Sequence, residues 1–239
     1  MPIKTVEPQR LYRQIAEQLR VLIGRGEFPV GARLPAERDL ARQLGVSRPS
    51  VREALIAMEI EGWVEVRTGS GIYVIDRTAR ENRSNGTLLA PTEWGPLELI
   101  RARRVIEGEI ASIAAAQAKR KNIDAMRKSI CAMESCAAQG VSPLNGDRAF
   151  HTAIVESCGN VVLTETVQTF WDSRRGTLFT RLGGYFESLK SWQSAIAEHE
   201  AIFEAIETHD SAAARNAMHA HMDKSHARFS ASWRRAKTS

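Results

Sequence analysis

Four residues give this sequence its strongest chemical signal. In the stretch "DRAFHTAIVE", which begins at residue 147, Asp147 and His151 stand four apart. On a helix that spacing puts a carboxylate and an imidazole one turn apart on one face. Ile154 and Val155 continue the face, so it should turn inward. Two further histidines lie on apolar stripes. His199 falls among Trp192, Ala195, Ile196, Ile202, Phe203 and Ile206, and His221 continues Ala214, Ala217 and Met218. His209, His219 and His226 fall at helix ends or off the stripes. A lone inward histidine is ordinarily a core residue satisfied by its neighbours. Three of them with a carboxylate also suit a divalent transition metal, which would neutralise the buried acid. The spacing leaves both readings open. No second carboxylate or histidine is placed to act as a general base beside them, which argues against an enzyme.

The elements that must position these residues follow from composition and periodicity. The 239 residues allow one large domain or two modest ones. The net charge of +5 permits a nucleic-acid partner without demanding one. Residues 1–76 hold 11 Lys and Arg against 10 Asp and Glu, a net of only +1. Any DNA argument therefore rests on where the arginines sit. No apolar run approaches the ~20 residues of a membrane span. The opening "MPIKTVEPQRLYRQ" lacks the apolar core of a secretory signal, so the expected compartment is the cytoplasm. Cys131, Cys136 and Cys158 show no CxxC spacing and are expected as reduced thiols packed in helices.

Residues 77–87, "RTARENRSNGT", contain no large apolar residue and read as a linker. Helices and a short hairpin are expected before it, and helices alone after it. The fold class is mainly α. Residues 8–76 form a winged helix-turn-helix, residues 77–91 a linker, and residues 92–235 an all-α antiparallel helical bundle. Leu11, Ile15, Leu19 and Leu22 mark a first amphipathic helix. In "LPAERDLARQLG", Pro35 opens and Gly45 closes a second. Ser47 caps a third, whose stripe is Val51, Leu55 and Met58. "GWVEVRTGSGIYV" alternates on both sides of a Gly-Ser-Gly turn, the pattern of a two-stranded wing.

Arg48 and Arg52 lie one turn apart on the third helix, on the side expected to oppose the stripe. In a helix-turn-helix, the start of this helix reaches base edges, and arginine pairs with guanine O6 and N7. Ser47 and Ser50 can donate hydroxyls to phosphate, and Arg38 can clamp the backbone. At the wing tip, Arg67 to Gly71, Gly69 lets the chain approach DNA closely.

At this point "LPAERDLARQLGVSRPSVREAL" and "EGWVEVRTGSGIYV" resemble the GntR family of bacterial transcription regulators over residues 10–75. The resemblance implies that Arg38, Arg48, Arg52 and Gly69 contact DNA, with Ser47 and Ser50 on phosphate. The second half resembles the all-helical FCD-type effector domain of the FadR subgroup. "GPLELIRARRVIEGEIASIAAAQ" is its strong first helix, with Leu97, Ile100, Val105, Ile106, Ile110 and Ile113 expected on the buried side. Further helices are expected near 121–137, 146–158, 160–182, 187–208 and 210–233. The resemblance assigns Asp147, His151, His199 and His221 to a metal, zinc by first choice with nickel or manganese as alternatives. Open coordination positions would take a small carboxylate effector, with Arg103 facing it. "FWDSRRGTLFTRL" resembles the hexuronate-responsive branch, which would add Trp171 and Arg174 to the sugar pocket. The implied protein is a homodimeric repressor that binds a pseudo-palindromic operator and is no enzyme. A metalloenzyme joined to a DNA-binding module and a purely structural metal remain as alternatives.

Overall fold

A computed structural model describes residues 10–76 and 93–231. The linker expected at 77–91 lies outside the described residues. The first unit consists of α1 (Leu11–Gly24), α2 (Glu37–Leu44), α3 (Arg48–Ile60), β1 (Val64–Arg67) and β2 (Gly71–Val74). Gly45 ends α2 in the left-handed region at φ 66°, a conformation that costs glycine nothing. Two residues later the Ser47 side chain accepts from the Ser50 N–H, which starts α3. The strands are antiparallel, with Val64 opposite Val74 and Val66 opposite Ile72. Residues 32–34 run along the other edge of β2, where Val74 N–H donates to Ala32 and Leu34 N–H to the Ile72 carbonyl. Tyr12, Ile15, Leu19, Leu40, Val51, Leu55, Met58, Val64 and Val74 fill the core. This is a winged helix, as the alternation and the tight turn require.

The second unit contains seven helices among the described residues: α4 (Pro96–Gln117), α5 (Arg120–Ala138), α6 (Leu144–Ser157), α7 (Val161–Ser173), α8 (Thr177–Phe186), α9 (Leu189–Glu207) and α10 (Ser211–Phe229). α4 packs along α10 and also meets α6 and α9, so it runs behind all three histidine-bearing helices. Close approach is needed there. A Cβ on Gly108 of α4 would lie 2.2 Å from His219 Nε2 of α10, and where α6 meets α5 one on Gly146 would lie 2.6 Å from Met133 Cγ.

Two expectations need correction. The single helix over 160–182 is two helices, α7 and α8, broken at residues 174–176. The Glu93 carboxylate accepts from Leu178 N–H at the start of α8, and a Cβ on Gly176 would lie 2.4 Å from that carboxylate. Val105 and Ile113 do not line the buried side of α4: they are 62% and 41% exposed. The inward face carries Arg103 and Glu107 instead, because each has a charged partner inside.

The two units touch through charged groups on α3. Glu53 is buried, and its carboxylate accepts from Leu97 N–H at 2.7 Å, at the start of α4. Glu59 accepts from Tyr185 Oη at 2.8 Å and from Arg181 Nε at 3.0 Å, both on α8. Burial pushes the Glu53 carboxyl from its ordinary 4.5 up to about 7, despite the Leu97 hydrogen bond. The folded state therefore binds this proton more tightly than the unfolded chain. The resulting stabilisation is complete below pH 4.5 and is lost as pH rises through 7. The ionised group costs about 3 kcal/mol at pH 8. Glu53→Gln should therefore be more stable than the parent protein at pH 8 and lose that advantage near pH 4, as read from urea melts.

Candidate functional site

The residues singled out for metal binding converge. Asp147 and His151 come from α6, His199 from α9 and His221 from α10, and one donor atom from each lies within 4.8 Å of all the others. The three histidines are buried, and Asp147 is partly buried. Asp147 Oδ1 lies 3.0 Å from His199 Nε2 and 3.3 Å from His151 Nε2. Asp147 Oδ2 accepts from Arg174 Nη1 at 3.0 Å.

The far ring nitrogens face acceptors. His199 Nδ1 is 2.6 Å from the Ala195 carbonyl, and His221 Nδ1 is 2.9 Å from Glu198 Oε2. His151 Nδ1 is 2.5 Å from Glu107 Oε2. All three Nε2 atoms are thus left for the shared centre, as metal-bound imidazoles require. Both nitrogens of His151 are buried without an aligned hydrogen bond. That orphaned Nε2, beside two further imidazoles and a carboxylate, fits a divalent cation. The donor set, three nitrogens and one oxygen, suits zinc and leaves positions open for nickel or manganese geometry as well.

The electrostatics agree. Burial alone would raise the Asp147 carboxyl, but the Arg174 guanidinium and the contacts with His151 and His199 hold it well below the usual range. Burial, reinforced by His199, lowers His221 to about 3, so its ring is neutral and ready to bind. Burial would lower His151 too, but Glu107 and Asp147 outweigh it and raise that ring.

The pocket candidates divide: Arg103 and Arg174 border a cavity beside the cluster, and Trp171 does not. Arg103 lines a cavity of about 60 Å³ beside the cluster, with Asp147, Arg174, His199 and His221. Its charge is already matched: Nε lies 2.5 Å from Glu107 Oε1, four residues on. Trp171 does not line that cavity. It is buried, and its ring is stacked between Arg103 and Arg174, at 4.6 and 4.4 Å. A cation held over the ring gains from its quadrupole. Arg174 does reach the cavity. Its Nε is buried without a hydrogen-bond partner, and its Nη1 holds Asp147. Glu107 and Glu198 were not singled out from the sequence. The available signals were the i, i+4 pairing of Glu107 with Arg103 and the position of Glu198 directly before His199.

On the winged unit, Arg38, Ser47, Arg48, Arg67 and Gly69 are exposed and Ser50 is partly so. Ser47 and Ser50 hydroxyls lie 2.8 Å apart at the start of α3. Arg67 Nε donates to Glu65, and its guanidinium lies over Tyr73. Arg52 departs from expectation. It is 2% exposed, with Nε and Nη2 donating to Glu37 at 2.6 and 2.7 Å and Nη1 to the Phe229 carbonyl at 3.4 Å. The strong carboxylate partner on α2 and the ring of Phe186 make the interior its place.

Residues 11–74 match the model of bacterial regulatory proteins of the gntR family, and residues 98–224 match that of the FCD domain. The chain belongs to this family: it is a DNA-binding transcription regulator of the GntR type with an FCD domain, a class of regulators and not of enzymes. It is 36% identical to the Uxu operon transcriptional regulator of Escherichia coli K12, over 90% of this chain and 85% of that one. It is 33% identical to the Exu regulon transcriptional regulator of the same strain, over 92% and 85%. The solved structure of E. coli McbR/YncC covers 93% of this chain with a TM-score of 0.50 at 19% identity, a likeness of fold alone. Among the described residues no helix is long and apolar enough to cross a membrane.

The DNA contacts expected of Arg48 and Arg38 predict two different losses. Arg48→Ala should cost ~1–3 kcal/mol and relax preference at one base pair per half-site. Arg38→Ala should weaken binding to all sequences and reduce the salt slope by about one. Both are read from binding isotherms on specific and scrambled duplexes across a salt series.

Proposed function

We propose that this protein is a homodimeric repressor whose operator affinity is set by a sugar acid, a hexuronate or a close relative, bound at a divalent metal in the helical unit. The division into residues 8–76, 77–91 and 92–235 belongs to this reading, as does action in the cytoplasm. The convergence of Asp147, His151, His199 and His221 carries the proposal. These four side chains would hold the metal, with zinc the first choice. When bound, the ion supplies a Lewis-acidic centre with open positions for a carboxylate and an adjacent hydroxyl.

Charge supports an anionic ligand. Around the cluster, the carboxylates Asp147, Glu107 and Glu198 each contact one guanidinium, Arg174, Arg103 and Arg228 respectively. That set is neutral by itself. Adding a dication leaves a buried excess of positive charge, which an acid ligand would offset. Arg174, with its unpartnered Nε and its place on the cavity wall, would fork onto the ligand carboxylate. Arg103 would act through Glu107 and through its stack on Trp171. The 60 Å³ cavity admits only the acid end of a sugar. An adjoining groove of about 460 Å³ shares Phe186, Glu187, Ser191 and Arg228 with it and offers room for the hydroxylated remainder. The hexuronate class is supported by the likeness to the Uxu and Exu regulators.

α8 supports a route to DNA. Phe186 at its end lines the cavity, while Arg181 and Tyr185 hold Glu59 of α3. A ligand that favours one position of α8 would thereby favour one placement of the reading helix, provided it binds the two states unequally. On α4, exposed Val105 and Ile113 offer an apolar face to a second copy, and a two-fold pair of wings would read a pseudo-palindrome. Arg38, Ser47, Arg48, Ser50, Arg67 and Gly69 would contact DNA. Arg52 would brace α3 from behind.

Thermal unfolding against a panel of sugar acids tests the reading, in native and chelator-treated protein. A ligand at 100 times its Kd adds ~2.7 kcal/mol. A hexuronate should raise Tm in native protein and leave the chelated protein unchanged. No shift with any acid in metal-loaded protein would reduce the metal to a structural part.

A further inference from the structure

The three imidazoles differ in what holds their second nitrogen. For His199 it is a backbone carbonyl, which residue 195 supplies whatever its side chain. For His151 it is Glu107, buried with Arg103 on the inward side of α4. For His221 it is Glu198, a side chain from the neighbouring helix α9. Glu198 is 6% exposed, yet it borders the outer groove, whereas His221 borders the inner cavity. Glu198 thus lines the outer groove and contacts a residue that lines the inner cavity.

Several groups secure that carboxylate. Arg228 Nη1 donates to Oε1 at 2.9 Å, and Nη2 reaches Oε2 at 3.3 Å. Ser194 Oγ donates to Oε1 at 3.3 Å, and the Lys224 ammonium lies 3.9 Å away. Oε2 thus faces His221 Nδ1 in a fixed direction. A neutral imidazole that donates Nδ1–H must present its lone pair at Nε2. Without an acceptor at Nδ1, the ring can take the other tautomer, whose Nε2–H closes the metal side, or it can turn over.

We propose that Glu198 is a positioning residue for the metal centre: it fixes the tautomer and direction of His221, and Arg228 and Ser194 fix Glu198 in turn. The proposal rests on the metal reading of the four-residue cluster. The competing role is an ordinary ion pair that ties α9 to α10. Such a pair would contribute to stability and leave metal affinity and tautomer untouched.

The test uses full-length protein stripped of metal. Zinc affinity is measured by competition with a chromophoric chelator, and the His221 tautomer by ¹⁵N shifts of the ring. In the parent protein the ring should be the Nδ1–H form. Glu198→Met keeps the side-chain volume and removes the acceptor. It should weaken zinc binding by ~10–100-fold and mix the two tautomers. Glu198→Gln keeps an acceptor oxygen and should recover most of the affinity. An Nε2–H tautomer in the parent protein overturns the proposal without recourse to any variant. So does a folded Glu198→Met protein that binds zinc as tightly as the parent, and in that case the metal reading stands. A folded parent that binds none of Zn²⁺, Ni²⁺ or Mn²⁺ overturns the metal reading and this inference together.

Discussion

The helical unit is organised around one carboxylate. Asp147 is contacted by His151 one turn along its own helix, by His199 from α9 and by Arg174 from the break between α7 and α8. An ionised acid in an apolar interior is costly unless charged or hydrogen-bonding partners surround it. Those partners come from separate helices, so meeting the need of Asp147 sets where the helices end and how they face. The break at residues 174–176 brings Arg174 against Asp147 and Glu93 to the start of α8. A continuous helix would carry Arg174 on without the turn in which Glu93 receives the start of α8.

The same logic extends outward in layers. Glu107 faces His151 and Arg103, Glu198 faces His221 and Arg228, and Trp171 spreads between the two cavity arginines. Asp147, Glu107 and Glu198 each have a guanidinium in contact, from Arg174, Arg103 and Arg228. Such an arrangement favours specificity over stability. Removing one member leaves its partner buried and unmatched.

Polar contacts also join this centre to the winged unit. α3 directs Arg48 outward and turns Arg52, Glu53 and Glu59 toward the helical unit. A reading helix docked through buried charges has few tolerated positions, because each contact is directional. α8 links this helix to the cavity: Arg181 and Tyr185 hold Glu59, and Phe186 lies on the cavity wall.

Much of this was legible in the chain itself. Period 3.6 placed the apolar stripes of α1, α3, α6, α9 and α10. The Gly45–Ser47 interval set the tight turn, and strict alternation around Gly69 set the wing. Asp147, His151, His199 and His221 stood out because an imidazole on an apolar stripe is conspicuous. Periodicity failed where partners lie far apart in sequence. Arg52 reads as a DNA-facing side chain and nothing in the pattern marks Glu107 or Glu198, yet all three are buried, since Glu37 meets Arg52, His151 meets Glu107, and His221 and Arg228 meet Glu198 in space. Val105 and Ile113 read as core but face outward: the buried side of α4 is made by Leu97, Ile100, Ile110 and Ala114 together with the Arg103–Glu107 pair. Local sequence determines which residues share a face. Which face is buried, and which charges can enter it, depends on long-range pairing, because an ion enters the interior only where its counter-ion is already folded into place.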